Sequence, residues 1–341
     1  MAHRKTIIAC LILAIVFTGS ICVYALPFSS VNKRADYRYG SFWEDPGKYD
    51  VWFLGSSHIY YSIQPMRLYK DYGYTSYDIA VPSATIPMSY WLMINALEKG
   101  TPRLIVVDTY HLRMNEKTTS MKDKLHMSLD RIPYSDMKYR AIKDLLPEKD
   151  RKEFLFQIYT RDKLEEMKKF KEDQTLKYPL MKGAKIATNS IDLSRNKITD
   201  KNKILKEPTT GSIYLEKIIS ECDKRGIDLV ITAFPYAGRQ DEQKGLHTAM
   251  QIAEKHGIKH IDLQYCPKLL DYKTDFCEDG HLNCMGSNKL TDYMGKYICS
   301  HCDLPDHRNR AGYDIWNREA EEATRFVNKS IAKMQKHTNR R

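Results

Sequence analysis

From Lys48 onward, short apolar runs alternate with amphipathic stretches, the pattern of a mostly parallel β-sheet covered by helices. Asp50 to Leu54 (DVWFL) is a nearly continuous apolar run ending in Gly55-Ser56-Ser57, which predicts a central strand entering a functional turn. Tyr77 to Val81 (YDIAV) and Leu104 to Asp108 (LIVVD) predict two more strands, with a helix over Ile86 to Glu98 between them. A second half begins near Thr210, where Tyr214, Leu215, Ile218, Ile219 and Cys222 share one helical face and Gly226 ends the helix. Asp228 to Phe234 (DLVITAF) is the next strand, Glu242 to Lys255 a helix, and Ile258 to Leu263 a short strand. After a loop holding Glu278 to Asn283, Ser287 to Ile298 returns as a helix. The predicted class is α/β, with one main domain over residues 48–302.

Between the halves, residues 113–209 are rich in Lys, Met and Tyr and carry helical pieces such as Lys149 to Asp173, but few strand signals. They predict a helical insertion, either a solvated helical hairpin or a cap over a substrate groove. The tail, 303–341, predicts a helix near Trp316 to Lys336 and a frayed basic terminus. At the other end, Thr6 to Leu26 carries no charge for 21 positions and follows His3, Arg4 and Lys5. About 20 apolar residues cross a hydrocarbon core of about 30 Å, so residues 1–26 predict a transmembrane helix that acts as a signal anchor. Val23 and Ala25 also suit signal-peptidase cleavage after Ala25. Lys33, Arg34 and Arg38 compete with the leading positive charges over orientation. The very short leader places the body, beyond a linker at 27–47, outside the cytoplasm, with no second span.

With 341 residues, 42% hydrophobic and 28% charged, the chain is large enough for an α/β core with insertions, and intrinsic disorder is excluded for most of it. Eight cysteines are too few for a disulfide scaffold, and Cys10 and Cys22 lie in the apolar leader. The net charge of +11 invites a nucleic-acid reading, but residues 113–207 hold 24 Lys/Arg against 16 Asp/Glu and so account for most of it. No zinc-finger spacing, P-loop or aromatic-basic RNA signature accompanies that charge, so a basic insertion describes it and nucleic acid is not an expected partner.

Two segments at opposite ends of the main domain carry the candidate chemistry: Gly55-Ser56-Ser57-His58 after the first strand and Glu278-Asp279-Gly280-His281-Leu282-Asn283 late in the chain. A serine on a strand-to-helix turn sits at the carboxyl edge of the sheet, where open α/β sheets bind ligands. Its hydroxyl becomes a nucleophile when a neutral imidazole takes its proton, and the imidazole needs a carboxylate to fix its tautomer. Ser57, His281 and either Glu278 or Asp279 supply these roles, the shorter stem favouring Asp279.

On these blocks the chain resembles the SGNH or GDSL-type hydrolases and acyltransferases over about residues 48–112 and 210–300. The resemblance implies a flavodoxin-like three-layer fold, with Gly55-Ser56-Ser57 matching a Gly-Asp-Ser block in which Ser56 replaces Asp, Ser57 the nucleophile and His281 the general base. Glu278 stands where the family has the Asp of its Asp-x-x-His block. The second block, usually Asn-x-x-x-x-Gly, falls at Asp78 to Ser83, with Ser83 in place of the glycine. The backbone N–H groups of Ser57 and Ser83 would then hold an oxyanion. The third block, Gly-x-Asn-Asp, is absent: this chain reads Asp108-Thr109-Tyr110-His111, which leaves Tyr110 and His111 as candidate substitutes for the asparagine donor.

Together with the leader and Asp303-Leu304-Pro305-Asp306-His307-Arg308, the blocks are similar to membrane-anchored extracytoplasmic members associated with O-acylation of bacterial cell-surface polysaccharides. That resemblance implies a serine O-acetyltransferase or esterase in the cell envelope, working beside a membrane-bound O-acyltransferase and needing no cofactor or metal. The alternative is a non-catalytic accessory or glycan-binding subunit of such a system, which the altered third block favours. Weaker signals are Cys299 and Cys302, with Cys266, Cys277 and Cys284 nearby, where a disulfide is the expectation outside the cytoplasm and free buried thiols the alternative. Tyrosines such as Tyr60, Tyr61 and Tyr90 can pack on sugar rings, though most are expected at the edge of the core. The basic insertion suits an anionic glycopolymer or acidic headgroups.

Overall fold

The computed structural model describes residues 2–25, 39–156, 180–193, 199–236, 240–266 and 268–338. Five strands form its main sheet: β1 (Val51–Gly55), β2 (Ser76–Ala80), β3 (Leu104–Asp108), β4 (Asp228–Ala233) and β5 (Lys259–Asp262). Their order is β2-β1-β3-β4-β5 and every pairing is parallel, the order of flavodoxin-like doubly wound sheets. Each strand lies within a residue of the apolar run that predicts it. Val51, Trp52, Phe53 and Leu54 are all fully buried. Trp52 and Leu54 pack with Ile105, Val107, Leu229 and Ile231 on one face, while Val51 and Phe53 pack with Leu104, Val106 and Val230 on the other. A strand that is apolar at every position alternates between two cores and needs a layer on each side.

Those layers are helical. Along the chain the helices are α1 (Ala2–Ala25), α2 (Ser57–Ser62), α3 (Pro65–Tyr72), α4 (Ile86–Leu97), α5 (Lys122–Leu129), α6 (Asp136–Leu145), α7 (Glu148–Phe156), α8 (Thr210–Arg225), α9 (Gln240–Lys255), α10 (Cys284–His301) and α11 (Asp314–Thr338). Helices α4, α8 and α9 cover the first face, and α2 and α10 the second. Polar caps set their starts: the Thr209 side chain and Ser212 form a reciprocal capping box on α8. Asn283 accepts from the N–H groups of Met285 and Gly286, which starts α10 three residues before the Ser287 of the apolar pattern.

The insertion is not a solvated hairpin in its described part. Leu125, Leu129, Ile132, Ile142, Leu145 and Phe154 belong to the same core as α4. The returning segment, 180–193, closes the open edge of β2, where the Asp78 N–H donates to Lys182 O at 3.0 Å; a covered edge cannot template pairing with another chain. Residues 157–179 and 194–198, and with them most of the helix expected over Lys149 to Asp173, lie outside the described residues.

The expected linker is also partly core. Residues 39–44 are helical and Tyr39, Phe42 and Trp43 are buried, with the Phe42 ring edge-on to Trp52 at 5.4 Å and the Tyr39 hydroxyl donating to Ala80 O. Three aromatic side chains bury too much apolar area to remain in a solvated linker; residues 26–38 lie outside the described residues. The tail is likewise built into the body. Ala320, Ala323 and Val327 of α11 pack on Met66 and Tyr69 of α3, and Lys182 pairs with Glu319 at 2.6 Å.

Helix α1 exposes Ile7, Ile8, Leu11, Ile12, Leu13, Ile15, Val16 and Phe17. Among the described residues no helix is long and apolar enough to cross a membrane. The seven described cysteines, Cys10, Cys222, Cys266, Cys277, Cys284, Cys299 and Cys302, are all unpaired, contrary to the expected disulfide. Cys222, Cys277 and Cys284 are each buried in a different core cluster.

Asp50 joins the start of β1 to the tail: its Oδ2 accepts from the Thr75 N–H at 2.9 Å and bonds His307 Nε2 at 2.9 Å. Replacing Asp50 by Ala strands these donors, and we expect a loss of about 2–3 kcal/mol in urea denaturation followed by tryptophan fluorescence. An unchanged midpoint and slope contradict this role for Asp50.

Candidate active site

The carboxyl ends of β1, β2 and β3 finish side by side, since Gly55 pairs with Ala80 and Leu54 with Val107. Gly55 ends β1 at φ 154°, and a β-carbon there would stand 2.9 Å from Asp108 Cβ; only glycine lets the chain turn so close to β3. Ser56 then caps α2, its Oγ accepting from the His58 N–H at 3.4 Å, and Ser57 becomes the first residue of that helix. Asp108, 2% exposed, receives the Ser56 hydroxyl in a long 3.4 Å contact. Burial pushes its carboxyl up to about 7, against the approaching N–H groups of Tyr110, Phe234 and Thr109. Its Oδ1 has no partner at full hydrogen-bond geometry among the described residues.

A two-stranded antiparallel hairpin, β6 (Phe276–Glu278) and β7 (His281–Leu282), delivers the histidine. His281 Nε2 lies 2.6 Å from Ser57 Oγ, and His281 Nδ1 lies 2.6 Å from Glu278 Oε1. Burial lowers the His281 pKa below the usual 6.5, opposed by the Glu278 hydrogen bond. The ring is therefore neutral at pH 7, and the carboxylate requires the proton on Nδ1, leaving the Nε2 lone pair to accept the Ser57 hydroxyl proton. Asp279 is not the orienting acid. The hairpin register pairs Glu278 with His281 across the strands, whereas Asp279 occupies the turn and acts on His281 only through its charge. Stem length decides nothing once cross-strand pairing has chosen the neighbour.

Ser83 sits in the turn after β2, where the Ala84 N–H donates to Val81 O at 3.0 Å and Ser83 has φ 56°. Pro82 followed by a left-handed residue is a type II turn, whose third position favours glycine; Ser83 holds that geometry with a side chain. The Val81 N–H donates to Gly55 O, so this turn lies beside the Ser57 turn, though no hydrogen bond joins Ser83 to Ser57 or His281 among the described residues. His111 is removed as an oxyanion donor. Its Nδ1 is 2.7 Å from the Ala84 carbonyl, which can only accept, and burial lowers its pKa. The neutral ring thus spends its one N–H on Ala84 and ties the β3 exit to the β2 exit. Tyr110 keeps its hydroxyl protonated, burial pushing its pKa up to about 12.

Two further side chains shape the site. Tyr61 stacks on His281 at 4.3 Å and 21°, and Lys185 stands over the Tyr61 ring at 4.9 Å. The spacing of Tyr61, four residues after Ser57, is a signal readable in the sequence once α2 is a helix. His58 is buried against Tyr110 at 4.0 Å; nothing in its position along the chain singles it out. No group of three or more His, Cys, Asp or Glu among the described residues is arranged to hold a metal ion.

The chain is thus an α/β protein of the doubly wound class with a Ser57–His281–Glu278 relay at the carboxyl edge of its sheet. No family model, curated protein or solved structure matches it.

Glu278→Gln is expected to slow labelling of Ser57 by a fluorophosphonate about 10²-fold, and Asp279→Asn to leave it within a few-fold. Equal effects of the two contradict the assignment. Since Nε2 must be unprotonated to take the serine proton, the labelling rate is expected to fall as pH drops through a value below 6.5. Glu278 raises the His281 pKa, so Glu278→Gln shifts that limb to lower pH; an upward shift contradicts the arrangement.

Proposed function

We propose that this chain is a serine acyl-transfer enzyme of the SGNH or GDSL type, an O-acetyltransferase or esterase. The observation that carries the reading is the unbroken hydrogen-bonded chain from Ser57 Oγ through His281 to Glu278. Ser57 Oγ attacks the carbonyl carbon of an acyl ester while its proton passes to His281 Nε2, and Glu278 stabilises the resulting imidazolium. The backbone N–H groups of Ser57 and Ser83 face the oxygen that gains charge. Collapse of the tetrahedral intermediate breaks the ester bond, and His281 gives its proton to the leaving alcohol oxygen. A glycan hydroxyl or water then gives its proton to His281 and attacks the acyl carbon, and collapse of this second intermediate breaks the bond to Ser57 Oγ, which takes the proton back from His281. The residues present complete this sequence without a cofactor.

The reading extends to place and partner. The uncharged stretch Thr6 to Leu26 and the apolar side chains exposed on α1 support an N-terminal membrane anchor with the body outside the cytoplasm. The substrate class is then a cell-surface polysaccharide, the transferred group acetyl, and the partner a membrane-bound O-acyltransferase. All of these rest on the resemblance of the Ser57, Ser83 and His281 blocks to that superfamily.

Treating the full chain with a fluorescent fluorophosphonate tests the reading. Labelling is expected on the wild type and is expected to vanish in both Ser57→Ala and His281→Ala. A folded wild type that takes up no label, or a Ser57→Ala chain that fully restores surface-polysaccharide acylation in cells lacking the protein, favours an accessory subunit instead.

A further inference from the structure

His58 is a buried polar side chain at this site that the serine relay leaves unused. It follows Ser57 in α2 and is 4% exposed; among the described residues no hydrogen bond reaches its ring, and neither ring nitrogen is one of the fully enclosed polar atoms left without a partner. Its ring is packed from three sides: Tyr110 stacks at 4.0 Å and 27°, Tyr236 tilts at 5.4 Å, and His281 lies edge-on at 5.7 Å. Nε2 lies beneath the hairpin turn, since a β-carbon added to Gly280 would stand 3.6 Å from it. Burial, then the nearby His281 and His111, hold the pKa of His58 well below 6.5, so the ring is neutral, with one N–H to donate and one lone pair to accept.

Polar groups this deep have hydrogen-bond partners as a rule, and a ring nitrogen that still reaches accessible space takes one from water or from a bound oxygen atom. An apolar side chain of similar shape would fill the space between Tyr110 and Tyr236 but could not hydrogen-bond an oxygen beside Ser57. Neither side chain from the β3 exit competes strongly for this role: His111 has spent its N–H on Ala84, and the Tyr110 ring serves as the surface on which His58 stacks.

We infer that His58 is a third oxyanion donor, its ring N–H hydrogen-bonding the substrate oxygen that becomes negative as Ser57 attacks. This rests on the reading of Ser57 as nucleophile. When the bond from Ser57 Oγ to the carbonyl carbon forms, the carbonyl π pair moves onto oxygen and the serine proton goes to His281. His58 keeps its proton throughout and contributes the dipole of a ring already held in place by Tyr110 and Tyr236, which needs little reorganisation during the step.

The test compares fluorophosphonate labelling rates of the full chain, whose phosphoryl oxygen occupies the oxyanion position, for the wild type, His58→Phe, His58→Leu, His58→Asn and Tyr110→Phe. His58→Phe keeps the stack on Tyr110 but has no donor, and we expect it to label about 10²–10³-fold more slowly. His58→Asn, which can donate, is expected to label at least tenfold faster than His58→Leu, which has similar volume and cannot; this pair decides the matter if the Phe variant does not fold. The acid limb set by His281 is expected to stay in place in every variant. A His58→Phe chain that labels within threefold of the wild type, or Asn and Leu variants of equal rate, overturns the inference, as does a large loss confined to Tyr110→Phe. A wild type that takes up no label overturns the reading of Ser57 itself, a result distinct from a labelled wild type with an equally fast Phe variant.

Discussion

The Ser57 turn exists because β1 has neither a free face nor room at its end. Its four leading side chains are fully buried, two into each core, so the strand cannot tilt or slide without opening a cavity on one side. At its end Gly55 passes so close to Asp108 that a β-carbon would clash. The chain must therefore leave the sheet at that point, and Ser56 converts the exit into a helix start by capping α2. Ser57 is held by the sheet beneath it and by the helix it begins, more rigid supports than a loop.

The second half of the site comes from 224 positions away and depends on a different device. Helix α10 buries Leu290, Met294 and Ile298 against the second face of the sheet, which fixes the hairpin before it over α2. Within the hairpin, cross-strand pairing places Glu278 opposite His281. The segment 180–193 adds a third support: the Lys185 N–H donates to Tyr60 O at 2.7 Å and the Ile191 N–H to Phe276 O at 3.0 Å. The basic insertion thus returns as a brace between helix α2 and the hairpin that carries His281.

Electrostatically the site is quiet. His58, His111 and His281 are all pushed below the usual histidine range by burial, so three imidazoles stand neutral around Ser57 at pH 7. In such surroundings the dipoles of fixed N–H groups act with little screening, while Glu278, bonded to the His281 ring, is half open to solvent. The Tyr61 stack on His281 limits the ring to one plane.

The apolar runs alone determine the five strands, because a strand buried on both faces must be apolar at consecutive positions, and this shows in one dimension. The Ser57 turn and the general importance of His281 are legible for a related reason: Gly-Ser after such a strand, and a histidine beside carboxylates, are local patterns. The acid was not legible, since Glu278 and Asp279 differ by one position and only the hairpin register separates them. Nor was the core character of Tyr39, Phe42 and Trp43, or of the tail from Asp306 to α11, because their partners Trp52, Ala80, Asp50 and Met66 are distant in the chain. His58 and Asp108 are the clearest case: one is an ordinary helix residue and the other the last residue of a strand, and what each does follows from burial and from neighbours that the fold supplies. The chain by itself determined where the strands and the reactive groups lie; the tertiary structure decided which groups meet, because hydrogen-bond partners and desolvation are properties of distances in space.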